Sequence, residues 1–392
     1  MQETLDERHV RFDRLRREAP AYRDASSRSV VLSRMADARA WLSDAAQWKD
    51  ADRAEEGSLI RLFKPADMNR PGDRDSGMGW MDEPEHSRVR APIQAALARR
   101  VAGMKGVVEA IVTSQLGALP QGRFDALADY AMPIPVAVIG RLLGVDTDDF
   151  AQFRAWSEAA LNSFSPNPTP EERAATKTAA DAISDYLDAA MRARRRAPAD
   201  DLISDLLAYQ AAGGALSDSE IRVNCMNLLL GGNVTTADLI ANSLNLLLRH
   251  PQELAKLRAD PSLIGSAVEE CLRLEPPTEG AQRVASRDVT FHGERVCPRQ
   301  VVAVMIPAAN RDPAAFSDPH RFDISRREGS HISFGSGAHI CIGAALARLE
   351  ARTAIWGIVE RFPGLALACP SAPLQWRDAA FFRGLKSLCV RV

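Results

Sequence analysis

Cys341 lies in the run Phe334-Gly335-Ser336-Gly337-Ala338-His339-Ile340-Cys341-Ile342-Gly343, where three glycines, a histidine and a cysteine surround one candidate metal ligand. A cysteine sulfur sits on the iron of a haem only if the backbone before it curls tightly beneath the porphyrin. Gly335 and Gly337, which carry no Cβ, permit such a turn. Gly343 lets a following helix approach closely, and the apolar run Ala344-Ala345-Leu346-Ala347 with Arg348 predicts a helix starting at the cysteine. Its N-terminal amides would then stabilise the thiolate, and a thiolate so held pushes electron density toward the iron. The competing reading, a small buried hydrophobe, fits a lone cysteine. It does not fit this one, because three glycines at set places, each with a background near 7%, reduce chance agreement roughly three-thousandfold.

A long helix is legible further upstream. Ser217 with Glu220 makes a capping box, and apolar residues run from Leu228, Leu229 and Leu230 to Leu246, Leu247 and Leu248, ending at His250 before Pro251. Gly231 and Gly232 interrupt its middle at a cost of roughly 1 kcal/mol each relative to alanine, which predicts a kink or a ligand close to the backbone. Thr235 and Thr236 follow.

The decapeptide around Cys341 resembles the haem-binding loop of the cytochrome P-450 family, and further motifs of that family occur in order over nearly the whole chain. The resemblance implies a mainly α fold with a smaller β-rich portion, built as a single haem-containing domain over residues 1–392. It implies a haem b whose iron is ligated by Cys341, with Phe334, Gly335 and Gly343 shaping the cradle. Glu270-Cys271-Leu272-Arg273 matches the family's Glu-x-x-Arg, and Arg321 in Pro319-His320-Arg321-Phe322 is the expected third member of a structural clamp. His86 and Arg90 occupy the family's His-x-x-x-Arg positions, where i, i+4 spacing puts both on one helical face. With Arg283 and His339 they are the expected partners of the haem propionates, since two carboxylates entering a protein interior need cations or hydrogen-bond donors.

One position departs from the pattern. The family reads Ala/Gly-Gly-x-Asp/Glu-Thr, its acid and threonine helping to supply protons. This chain reads Gly231-Gly232-Asn233-Val234-Thr235. Valine carries no proton, so the departure leaves haem binding intact but points away from the usual relay, toward hydroxylation supported by water, Thr235 or substrate groups, or toward oxidative coupling or rearrangement.

Helical patterns dominate from about Ala36 to Leu274, and Val289 to Phe291 and Val301 to Ile306 read as strands. Leu62 to Met81 and Phe164 to Pro170, rich in proline and glycine, read as lids over the pocket. If Thr235 faces the iron, Gly231, Asn227 and Leu228 share its side, with Leu230 nearby. If Arg283 points at a propionate from an extended segment, Ala281 and Glu279 share its face. Phe381 and Phe382 stand where the family's C-terminal loop touches substrate. Together these residues suit a medium-sized small molecule with an aromatic ring and nitrogen or hydroxyl groups, a substrate of secondary metabolism.

Composition agrees with a large enzyme. The 392 residues are 46% hydrophobic and 26% charged, and 49 Lys and Arg balance 51 Asp and Glu, so nothing argues for nucleic acid or bulk membrane attraction. Residues 1–20 read as neither signal peptide nor membrane anchor, and six cysteines without disulfide or zinc spacing fit a reducing cytoplasm. No flavin, iron-sulfur or dinucleotide motif is present. The expected partner is therefore a separate ferredoxin with its reductase, docking on Arg88, Arg99, Arg100 and Lys105. The alternative class is a haem-thiolate sensor or docking protein without turnover, and retention of Thr235 favours the enzyme.

Overall fold

Ser29–Leu32 reads Ser-Val-Val-Leu and is buried along its whole length, as expected of a strand covered on both faces. It pairs antiparallel with Ala21–Asp24 and parallel with Val301–Met305, which in turn pairs antiparallel with Gly280–Val284. In this four-stranded sheet Arg283 stands opposite Val302 and Ala281 opposite Val304. Val30, Leu32, Trp41, Leu42, Val302, Val304, Phe316 and Ile332 form one apolar core with it. A hairpin, Val289–Phe291 with Glu294–Val296, turns through His292 and Gly293, both at positive φ, the geometry of a two-residue loop that matches strand twist.

The computed structural model describes residues 5–63, 70, 73, 77–145, 150–161, 168–377 and 381–392. Contacts group the chain into two units. The first comprises residues 1–64, 246–341 and 381–383 and holds the sheet above; the second comprises residues 65–245, 342–380 and 384–392. Within the second unit the helices Glu85–Gly103, Lys105–Ala118, Pro133–Leu143, Pro170–Arg196 and Ala344–Arg361 dominate. Gly357 lets Lys105–Ala118 pack tightly, since a Cβ there would lie 3.0 Å from Val112 and 3.2 Å from Leu116. Tyr130 Oη ties the same helix by donating to the Ala354 carbonyl at 2.6 Å. A small sheet of Arg123–Asp125, Cys389–Arg391 and Ala366–Leu367 completes the unit.

The long helix runs from Asp218 to Arg249. Its capping box is formed, with Ser217 N–H donating to Glu220 Oε2 at 2.8 Å and Glu220 N–H donating to Ser217 Oγ at 3.1 Å. The helix assignment is continuous through Gly231 and Gly232, the pair at which a kink or a ligand close to the backbone was expected. One stretch, Ala126–Leu143, is apolar and long enough to cross a membrane by length and composition, and 67% of it is buried inside the protein, as in a core helix. Of the two expected lids, residues 64–69, 71–72 and 74–76 of the first and 164–167 of the second lie outside the described residues.

Candidate active site

The loop before Cys341 closes on itself in the first unit. Gly335 N–H donates to the Ile332 carbonyl at 2.8 Å, and Cys341 N–H donates to the Phe334 carbonyl at 2.8 Å. Gly335 and Gly337 sit at φ +76° and +73°, a conformation that favours glycine. A Cβ on Gly337 would also lie 2.6 Å from the Leu42 carbonyl oxygen and 2.7 Å from Ser43 Cα, so the loop is pressed against the helix Met35–Ser43. Ser336 and Ser43 hydroxyls meet at 2.7 Å. Cys341 is reduced and exposed, whereas Cys225 and Cys271 are buried. A sulfur presented in this way, with partly buried His339 two residues before it, fits a haem-iron ligand and not a core hydrophobe. The helix expected to start at the cysteine begins at Ala344, because Ile342 and Gly343 form a turn first.

The clamp behind this loop also lies within the first unit. Arg273 is 2% exposed and donates to both Glu270 oxygens, Nε at 2.7 Å and Nη2 at 2.9 Å. It further donates to the carbonyls of Asn310, Pro319 and Arg321 at 2.9, 2.7 and 3.2 Å. Asn310 passes the connection on: its Oδ1 accepts from Ile332 N–H at 3.0 Å and its Nδ2 donates to Ser333 Oγ at 2.9 Å. Ser333 Oγ then donates to the Leu272 carbonyl at 2.7 Å. Arg321 does not act as expected. Its guanidinium is 61% exposed and 3.9 Å from Asp323, and it supplies only its carbonyl. Arg326, 8% exposed with Nε 3.3 Å from Glu270 Oε1, is the second cation on the buried carboxylate, because the chain turns through Asp323 before coming back to Glu270.

Of the four expected propionate partners, Arg283 and His339 share the first unit with Cys341. Arg283 is buried on the strand Gly280–Val284, its Nη1 donating to the Gln282 carbonyl at 3.0 Å. His86 and Arg90 lie in the second unit on the helix Glu85–Gly103. The buried His86 ring has Nδ1 3.1 Å from Glu83 Oε1, and Arg90 Nε donates to Gln94 Oε1 at 2.9 Å.

On the long helix Thr235 Oγ1 donates to the Gly231 carbonyl at 2.7 Å. Among the described residues and apart from the helix's own backbone, a Cβ on Gly231 would meet no atom within 4 Å, and one on Gly232 would touch Ile139 Cδ1 at 4.0 Å. Gly231 therefore leaves its face of the helix open to close approach. Asn233 is buried against Ser157 Oγ at 3.0 Å, and Val234 is buried. Asn227 reaches toward the turn at Gly77, where its Nδ2 lies 3.0 Å from the Cβ position, and Leu230 is half-buried.

Glu279 does not offer a free carboxylate. Although 30% exposed, it pairs with Arg8 of the N-terminal helix Leu5–Glu18 and lies 4.0 Å from Arg383. The buried Glu275 lies in the same cluster, 3.7 Å from Arg8, 3.5 Å from Arg311 and 3.0 Å from Arg383. Burial would raise the Glu275 carboxyl, but these three cations outweigh it and hold it below the ordinary range. Ala281 packs against the apolar core of the sheet and not into open space. Phe381 accepts from Glu279 N–H at 2.9 Å through its carbonyl, its ring 3.2 Å from the Cβ position of Gly280, and Phe382 bridges Thr278. The basic docking patch is largely neutralised. Arg88 pairs with Glu85 and Glu220, Arg100 with Asp200 and Asp205, and Lys105 lies 3.8 Å from Glu109.

A mainly helical protein with a reduced cysteine held out on a glycine loop and a buried Glu-Arg clamp behind it defines a haem-thiolate oxidoreductase. The sequence profile of the family Cytochrome P450 matches residues 150–365. Cytochrome P450 107B1 of Saccharopolyspora erythraea is 37% identical over 98% of this chain and 95% of its own length. Nocardicin C N-oxygenase of Nocardia uniformis subsp. tsuyamanensis is 36% identical over 96% and 93%. Among solved structures, the cytochrome P450 enzyme CxnD for C-S bond formation in chuangxinmycin biosynthesis superposes with a TM-score of 0.87 at 30% identity, covering 97% of this chain and 93% of its own. The chain belongs to the cytochrome P450 family and is a haem-thiolate monooxygenase of the bacterial type. When bound, the haem supplies reductive activation of dioxygen at a cysteine-ligated iron.

Proposed function

We propose that this monooxygenase oxidises a medium-sized small molecule of secondary metabolism that bears an aromatic ring and nitrogen or hydroxyl groups, by hydroxylation, in the cytoplasm. Electrons come from a separate ferredoxin and its reductase. The observation that carries the reading is the segment Gly231–Thr235, where an open glycine and a retained threonine hydroxyl stand beside a buried Val234. Proton supply then runs through Thr235 and not through position 234, and the reaction is chosen by the substrate's own groups as much as by the protein. Kinship with an N-oxygenase supports a nitrogen-bearing substrate. Val234 favours a second reading, oxidative coupling, since that outcome asks less of a proton relay.

A library of aromatic amines, phenols, saturated alkanes and fatty acids, screened for displacement of water from ferric haem, tests the substrate class. The expected hits are the aromatic nitrogen- and hydroxyl-bearing compounds. Preferential response to the alkanes and fatty acids overturns it.

A further inference from the structure

Gly231, Thr235, Asp238, Asn242 and Asn245 follow one another at i, i+4, i+7, i+11 and i+14, so they form one stripe along the long helix. Beyond Gly231 the stripe is polar, and it grades from open to closed: Gly231 is exposed, Thr235 half-buried, and Asp238, Asn242 and Asn245 fully buried. A carboxylate in such a place is costly unless something answers it. Asp238 Oδ2 accepts from Arg377 Nη2, while Oδ1 has no hydrogen-bond partner among the described residues. Gly384 closes over the pair, since a Cβ there would collide with both Arg377 Nη2 and Asp238 Oδ1, and Arg377 N–H donates to the Gly384 carbonyl at 2.8 Å. A half-answered buried acid lies one turn beyond the position where the family's acid is replaced by Val234.

We propose that Asp238 is the proton-holding residue of this helix, serving Thr235 along their shared face in place of the missing acid. The inference rests on the reading that Thr235 faces the oxidation chemistry. Positions i and i+3 on a helix stand roughly 5–6 Å apart at Cβ, so at most one water spans carboxyl and hydroxyl. Hydroxylation consumes one substrate C–H, one dioxygen, two electrons from the ferredoxin and two protons, and returns one C–OH and one water. For each proton, Thr235 gives up its hydroxyl proton and takes one back from the Asp238 carboxyl. Arg377 holds the resulting carboxylate until solvent restores its proton. Burial pushes the Asp238 carboxyl up to about 7 against the opposing pull of Arg377, the one charged group acting on it among the described residues. It can thus both hold and release a proton near neutrality.

The test compares wild type, Asp238→Asn and Asp238→Glu, each with haem. Without substrate, infrared difference spectra are followed from pH 5 to 9, and peroxide release per electron pair is measured with ferredoxin. The proposal expects a protonated-carboxyl band that titrates near neutrality in wild type and is absent in Asp238→Asn. Peroxide release should rise in Asp238→Asn and return toward wild type in Asp238→Glu, and with a turned-over substrate product per electron pair should fall at least tenfold in Asp238→Asn. A wild-type spectrum with no carboxyl titrating near neutrality overturns it, as does an Asp238→Asn protein with wild-type peroxide release and pH profile. If Asp238→Asn does not fold, the wild-type titration and the pH profile of Asp238→Glu decide. The infrared and peroxide arms need no substrate, so failure of the proposed substrate class leaves them readable.

Discussion

Arg273→Ala probes the support of the ligand loop most sharply. The guanidinium makes two charge-assisted bonds to Glu270 and three to the carbonyls of Asn310, Pro319 and Arg321. Three are buried and two partly so, and among the described residues truncation leaves Glu270 with Arg326 at 3.3 Å and the Asp323 N–H at 3.0 Å. Breaking a buried pair on one side costs about 3–5 kcal/mol, on the order of a thousandfold in the folded-to-unfolded ratio. Arg326→Ala removes the longer contact to Glu270 together with the bonds to the carbonyls of Ser317, Asp318 and Arg321 and the ion pair with the half-exposed Glu328, and should cost about 2–3 kcal/mol. Arg321→Ala removes an exposed side chain while its carbonyl remains, and should change stability by no more than about 0.5 kcal/mol. Urea unfolding of the three variants, with the rate of haem loss measured in parallel, should give the order Arg273, Arg326, Arg321. Equal costs for Arg273→Ala and Arg321→Ala, or an Arg273→Ala protein that holds haem like wild type, would refute the reasoning.

Gly337→Ala forces a non-glycine residue to φ +73° and a methyl against Leu42 and Ser43, so it should cost about 1–3 kcal/mol and speed haem loss, while Gly213→Ala, strained at φ +90° but with no atom of the described residues within 4 Å of the new methyl, should cost about 1 kcal/mol and leave haem loss unchanged; both are read by thermal unfolding and haem transfer. Glu279→Ala loses a partly exposed ion pair with Arg8, and should lower stability by at most about 1 kcal/mol while the substrate-induced spin shift keeps its midpoint. Because the Asp238 carboxyl is raised in the folded protein to about 7 from an ordinary value near 4, the folded state binds the extra proton between those values. Wild-type stability should therefore fall relative to Asp238→Asn as pH rises from about 4 to about 7, by a few kcal/mol at most, and the difference should be flat above that, as urea titrations across pH would register.

Features written in short, local sequence survive translation into structure. The turn glycines Gly335 and Gly337, the Ser217–Glu220 box and the Glu270–Arg273 pair depend on neighbours within a turn, and each is formed in the structure. The misplacements involve long range or irregular backbone. Arg321 and Arg326 differ only in how the segment after Pro319 turns, which no periodicity encodes. Glu279 finds Arg8, 271 residues earlier in the chain, so strand alternation could not reveal its partner. The strands Ala21–Asp24 and Ser29–Leu32 are only four residues each, and the second is anchored by a parallel neighbour at 301–305, far off in sequence. The basic stretch after His86 looked unopposed because Glu220, Asp200 and Asp205 lie far off in sequence. Asp238 carried a signal that could have been used, a charged residue inside an apolar helix on the same face as Thr235.

The central claim, that this chain turns over a small molecule with dioxygen and ferredoxin-delivered electrons, is tested most directly by incubating the reconstituted enzyme with a spin-shifting aromatic compound, reduced ferredoxin and isotopically labelled dioxygen. The account predicts a product that requires both ferredoxin and dioxygen and carries one labelled oxygen atom; a product formed under the same requirements without label would assign oxidative coupling. Recovery of the compound unchanged, from a protein whose haem is reduced by ferredoxin and whose carbonmonoxy spectrum is that of a cysteine thiolate, would contradict it.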